Sequence, residues 1–390
     1  MWRVLVCVII LNNVIADDEP RIVVLEDGPV SGQKYWKGDF YQFHGIPYAK
    51  IPPGRDRFQA PLPPDPREGL FDASVKNTIC QQCYYAGSST EDIMLDGKED
   101  CLHVHLFVPR IASETNLVPV VVYLHSGAFS GGGANMSGSA LSPFTINRHP
   151  ITTAKNVAIS LGYNGTSLED LTEFYLNATV KDLAEKSINY YLKNSTFGFA
   201  PCIENEIEGV EALITESPIY TIKKGLNNDV MVLTGYSNME GLSRSIKFGE
   251  WREDMNENFA DFLPGDLLFD NDQSRNDFIK EIKDYYFEGK NVTAQTLKGY
   301  IDYFSDSMFK YSIIRSAKMH AATKKLVYLY EFSYVGKLNI EHKYMDRIKG
   351  ASHRDQTAYI LDFFGYTSSY KDLDTRERMT TMWSDFVKYG

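Results

Sequence analysis

Nothing in the sequence approaches the ~20 consecutive apolar residues that a spanning helix needs, so a membrane-embedded body is excluded. Positive charge is in short supply. Forty Lys and Arg stand against 51 Asp and Glu, a formal net charge of −11. Nucleic acid and anionic membrane surfaces call for a net basic face, so the balance argues against both as partners. No internal repeat, low-complexity stretch or Pro/Gly/Ser-rich linker divides the chain. What is present is apolar and aromatic substance, 43% and 13% of 390 residues. That suffices to bury a sizeable core and excludes disorder for most of the chain. At roughly 150 residues per domain, the length allows two or three domains, or one large α/β domain.

The first residues read as an address. Met1-Trp2-Arg3 gives a short basic start, Val4 to Leu11 is unbroken apolar sequence, and Val14-Ile15-Ala16 precedes Asp17-Asp18. This is the pattern of a secretory signal over residues 1–16. N-x-S/T sequons at Asn135, Asn164, Asn177, Asn194 and Asn291 agree with secretion and predict glycosylation. Outside the signal there are four cysteines, Cys80, Cys83, Cys101 and Cys202, an even number that an oxidising compartment would allow to pair. Spacing leaves Cys80 and Cys83 as alternative partners for Cys101. A zinc site is disfavoured because Cys80-x-x-Cys83 has no second pair to complete it. No cofactor or metal ligand set is expected.

Apolar runs alternate with helical spacing along the chain. Arg21 to Leu25 and His103 to Val108 read as strands, and Tyr48 to Pro64 as a proline-rich loop. Val118 to His125, apolar at almost every position, predicts a central parallel strand buried on both faces. Helical spacing follows in Ser167 to Leu176, Thr179 to Leu192, Asn271 to Phe287 and Ser307 to Lys324. Two further apolar strands, Asp229 to Gly235 and Leu326 to Tyr334, interrupt the helices, which indicates an α/β fold with a mostly parallel central sheet. Ligand sites in such sheets form at the carboxyl ends of the strands. The residues to inspect are therefore His125-Ser126-Gly127-Ala128-Phe129, Gly235 to Gly241 and Gly350 to Asp355. Small residues after a strand leave backbone N–H groups bare for an oxyanion. A Glu can hold the tautomer of a His that serves as general base.

At these residues the sequence resembles the type-B carboxylesterases and cholinesterases of the α/β-hydrolase fold, with the secreted insect carboxylesterases most similar. Phe43-His44-Gly45-Ile46-Pro47-Tyr48-Ala49-Lys50, with Arg57-Phe58, resembles the N-terminal segment of that family, and Glu99-Asp100-Cys101-Leu102 its E-D-C-L. The resemblance implies a Cys80–Cys101 disulfide and an oxyanion loop with Gly127 and Ala128 as donors. It also implies Glu240 as the triad acid, His353 as the general base, and a small apolar ester as substrate or ligand.

The chain departs from the family at the nucleophile. In this fold the serine sits in G-x-S-x-G between the oxyanion loop and the acid, and no G-x-S-x-G occurs anywhere in the sequence. Gly131-Gly132-Gly133 runs directly into Ala134-Asn135-Met136-Ser137-Gly138-Ser139-Ala140, which resembles the strand end that follows the nucleophile's helix. By this reading 17–390 is one incomplete α/β-hydrolase domain, joined near 133–134 and truncated after 390. It lacks about a hundred residues, or three βα units. Ser137 and Ser139 are poor substitutes, with no elbow to expose their hydroxyls, and Asp355 is a poor rival to Glu240. Three readings follow: an esterase by descent, a non-catalytic secreted binding protein, and an incomplete product of an esterase gene. The loss of a central strand with acid and His both retained favours the last over the second.

Overall fold

The computed structural model describes residues 19–75, 79–85, 93–129, 137–187, 193–361 and 369–390. The signal at 1–16, the join at 133–134 and the Asn135 sequon lie outside them. The chain divides into two compact units, residues 1–81 with 96–118, and 82–95 with 119–390.

The first unit is built on strands. β1 (Arg21–Leu25) and β2 (Gly28–Lys34) form an antiparallel hairpin, with Leu25 opposite Gly28. Gly28 takes φ +123°, and a Cβ there would meet the Arg67 carbonyl at 2.9 Å, so this turn requires glycine. Arg67 locks it from outside with a bidentate grip on Asp27, 2.6 and 2.9 Å. β3 (Phe40–Pro47) follows, and β4 (Phe71–Asp72) pairs with β2 in parallel. β7 (His103–Pro109) completes the order β1-β2-β3-β7, while β5 (Gln82–Tyr85) and β6 (Ile93–Asp96), in the stretch that falls to the second unit up to Leu95, make a two-stranded sheet of their own. Val30, Phe43, Ile46 and Ala73 form the buried cluster of the larger sheet. The expected loop at Tyr48 to Pro64 contains a single 3₁₀ turn, Gly54–Asp56.

The second unit is mainly helical: α1 (Pro150–Ser160), α2 (Leu168–Asn177), α3 (Val180–Ser187), α4 (Pro218–Lys223) and α5 (Phe248–Glu257), then α6 (Asp272–Phe287), α7 (Leu297–Ser305), α8 (Tyr311–Ala322) and α9 (Tyr370–Tyr389). Capping boxes start α2 (Ser167 with Asp170) and α6 (Asn271 with Ser274). Between the helices β8 (Val232–Ser237) and β9 (Val327–Phe332) pair in parallel, Val232 opposite Val327 through Ser237 opposite Phe332. The main core is aromatic. Phe248, Trp251, Phe259, Phe262, Tyr300, Tyr303 and Phe304 are all buried in one cluster.

One expected strand does not form. Residues 117–125 carry no strand pairing among the described residues. Val120 is 80% exposed, Val122 78% and Leu124 85%, where burial on both faces was expected. A β-branched run is suited to a central strand, but neighbouring ladders decide whether it becomes one.

Candidate functional site

The site is assembled where β8 and β9 end. Asn238 N–H donates to the Phe332 carbonyl (2.9 Å), so the two strands leave the sheet tied together. The next residue, Met239, donates its N–H to the Ala351 carbonyl at 2.9 Å, and Ala351 N–H donates to Asn238 Oδ1 at 2.8 Å. This brings a segment 113 residues further along the chain against the end of β8. Gly350 is needed there because a Cβ would run into the Met239 side chain.

Glu240 opens a 3₁₀ helix, Glu240–Lys247, and is fully buried. Its Oε1 accepts from Ser237 N–H at 2.6 Å, and its Oε2 lies 2.7 Å from His353 Nδ1. A carboxylate oxygen at that position accepts, so Nδ1 is the donor of this contact and Nε2 takes no part in it. The imidazole is 15% exposed and packs on the Phe309 ring, centroids 4.4 Å apart and planes at 31°. Phe309 itself comes from a π-helical turn, Asp306–Lys310, between α7 and α8.

Behind His353 the backbone turns sharply. Arg354 has φ +82° and leads into a 3₁₀ helix, Asp355–Tyr359. Asp355, fully buried, accepts from Ser352 N–H (2.6 Å), Ile340 N–H (2.8 Å) and Asn339 Nδ2 (2.8 Å). Burial pushes its carboxyl above the ordinary aspartate value, and the nearby Glu240 adds to this, against the pull of the three donors. Asp355 is thus an anchor for the turn that carries His353 and does not bond to the imidazole. In the sequence Asp355 reads only as a rival acid, and Phe309 carries no local signal at all.

The remaining expected residues fall as follows. Gly127 and Ala128 lie in a tight loop where Gly127, Ala128 and Phe129 have φ +141°, +56° and +58°. No hydrogen bond joins this loop to Glu240 or His353 among the described residues. Ser137 Oγ accepts from Gln356 Nε2 at 2.8 Å, and Ser139 Oγ from Leu141 N–H at 3.1 Å, so both hydroxyls hold local structure. Among the described residues Glu240 is the hydrogen-bond partner of His353. The Cys80–Cys101 disulfide is present, S–S 2.07 Å, which decides between Cys80 and Cys83; Cys83 and Cys202 are free thiols. Asn164, Asn177 and Asn291 are exposed and Asn194 is half-buried. Among the described residues no His/Cys/Asp/Glu group could hold a metal, and no helix is long and apolar enough to cross a membrane.

The sequence matches the profile of the carboxylesterase family over residues 19–136 and 134–390. Esterase FE4 of Myzus persicae is 24% identical over an alignment of 492 positions, covering 96% of this chain and 85% of that protein. The juvenile hormone esterase of Tribolium castaneum is 20% identical, covering 90% of this chain and 80% of its own. Among solved structures, juvenile hormone esterase from Manduca sexta, with OTFP covalently attached, superposes with a TM-score of 0.78 at 20% identity. It covers 95% of this chain and 90% of that one. That likeness gives the fold, an α/β-hydrolase, and the profile match gives the lineage: this chain belongs to the carboxylesterase family.

Proposed function

We propose that the chain is a secreted carboxylic ester hydrolase by descent, made for a small apolar ester, which keeps the acid–base half of a serine esterase and lacks the nucleophile. The 2.7 Å contact between His353 Nδ1 and Glu240 Oε2, in a chain without G-x-S-x-G, carries this reading. His353 Nε2 is the atom that would take a proton from an attacking hydroxyl. Glu240 would hold the tautomer and stabilise the imidazolium. Gly127 and Ala128 would offer backbone N–H groups to the oxyanion. With no serine on a strand-to-helix elbow, the acyl-enzyme step has no attacking group. Support for secretion comes from the 1–16 pattern, the five sequons and the disulfide.

The exposed run at residues 117–124 favours a second reading, that the chain is an incomplete product of an esterase gene. Two observations support it. The family profile matches in two stretches that meet at 134–136, and the alignment with esterase FE4 extends over 492 positions, more than this chain possesses.

The test is direct. The purified 390-residue chain is expected neither to turn over short-chain aryl esters nor to react with a fluorophosphonate probe, and restoring the absent βα units should bring back both. Stoichiometric labelling of the chain as it stands would defeat the proposal and turn attention to Ser137 and Ser139. Transcripts that carry extra coding sequence between Gly133 and Ala134 would establish the second reading.

A further inference from the structure

A groove of about 740 Å³ opens on the second unit, away from the Glu240–His353 pair, with Leu263, Gly265, Leu267, Phe269 and Arg275 in its wall. Asn194 lines it too, and Asn194 is the first residue of an N-S-T sequon. We propose that an N-linked glycan on Asn194 folds back into this groove and covers its apolar wall. The inference rests on the secretory reading above.

Local geometry aims the attachment atom. Asn194 Oδ1 accepts from Thr196 N–H at 3.3 Å and from Thr196 Oγ1 at 2.7 Å, closing a turn across the sequon. Because the oxygen faces Thr196, the free face of the amide is Nδ2. That nitrogen points towards Gly265, where a Cβ would approach it to 2.8 Å, and Gly265 N–H in turn donates to the Asn194 carbonyl at 2.9 Å. The remaining described sequons are exposed, and Asn177 Nδ2 donates to the Glu173 carbonyl on its own helix. Asn194, by contrast, is half-buried and lines the groove.

The wall suits a sugar. Leu267 and Phe269 give an apolar surface for a pyranose C–H face, while Arg275 and Lys193 give donors for its hydroxyls. Leu268, between the two wall residues, is 96% exposed, so this stretch presents apolar surface that a tethered sugar would shield. The groove is a broad, open depression of about 740 Å³, with room for the first sugars of a core glycan lying along its wall. Chemically, Nδ2 attacks C1 of an oligosaccharide carried on a lipid pyrophosphate. The N–C1 bond forms, the C1–O bond to phosphate breaks, and one amide proton leaves with the phosphate.

The experiment uses the full chain from a secretory host, with glycopeptide mass spectrometry at each sequon and thermal unfolding in the presence of an apolar dye. Asn194 is expected to be occupied. N194Q should lower the unfolding midpoint by about 2–4 °C and increase dye binding, whereas N177Q should do neither. After glycosidase removal of all sugars, the original protein and N194Q should converge, which separates loss of the glycan from loss of the Thr196 turn. An unmodified Asn194 beside occupied exposed sequons would overturn the inference and leave secretion standing. So would an N194Q protein that matches N177Q, or that still differs from the original after deglycosylation. Sugar at no sequon would remove the secretory reading as well.

Discussion

Two buried carboxyls divide the task of placing His353. Glu240 fixes the ring through Nδ1, and Asp355 fixes the turn beneath it through Ser352, Ile340 and Asn339. The first role was legible in the sequence, because an acid and a His after strand ends can be matched to known motifs. The second was not: a residue two places beyond a His looks like a rival acid until its partners at 339 and 340 are seen. Asp355→Asn keeps the shape but turns an NH₂ towards the Ile340 N–H if its oxygen serves Ser352 and Asn339. A loss of about 1–3 kcal/mol in urea unfolding is expected. The pH dependence has a definite sign. Burial raises the carboxyl in the folded chain, so the native state holds the proton to higher pH than the unfolded one. The associated stability is complete below the ordinary aspartate value and is lost as pH rises through the raised one. Asp355→Asn should remove that component of the slope, and a wild-type profile without it would disprove the assignment.

Elements with a local signature were readable. β1 spans Arg21–Leu25 as its composition suggested, and α2 starts at the Ser167–Asp170 capping box. Elements that depend on distant neighbours were not. Residues 118–125 have the strongest strand composition in the chain and form no ladder among the described residues. The aromatic residues of α7 gave little warning that Tyr300, Tyr303 and Phe304 would all be buried, since the core around them comes from segments spread between Leu242 and Ile348. A close approach holds α7 in place: Gly241 N–H donates to Ser305 Oγ at 2.8 Å, and a Cβ on Gly241 would collide with the Ile301 carbonyl. The Glu240 helix and α7 therefore meet backbone to backbone. Gly241→Ala should cost about 1–3 kcal/mol by forcing them apart. It should also loosen the Phe309 ring from His353, because the π-helical turn continues directly from α7. Unchanged stability would show that the contact is slack.

For the molecule as a whole, the family and the Glu240–His353 contact were legible, while the failure of residues 118–125 to join a sheet was not, because sheet pairing is a property of segments far apart in sequence. The uncovered run at residues 117–124 gives the sharpest check. Val122→Lys in a buried central strand would be ruinous. On an exposed stretch it is expected to change stability by no more than about 0.5 kcal/mol and to increase the soluble fraction. Complete loss of folded protein would show that the run is buried after all. The same run has a cellular consequence. Extended apolar sequence on the outside of a chain is what chaperone holdases grip, and proteases follow. Its abundance in tissue would then be set by how fast quality control clears it. Message level would be a poor guide to protein level, and blocking degradation would raise the amount more than raising transcription.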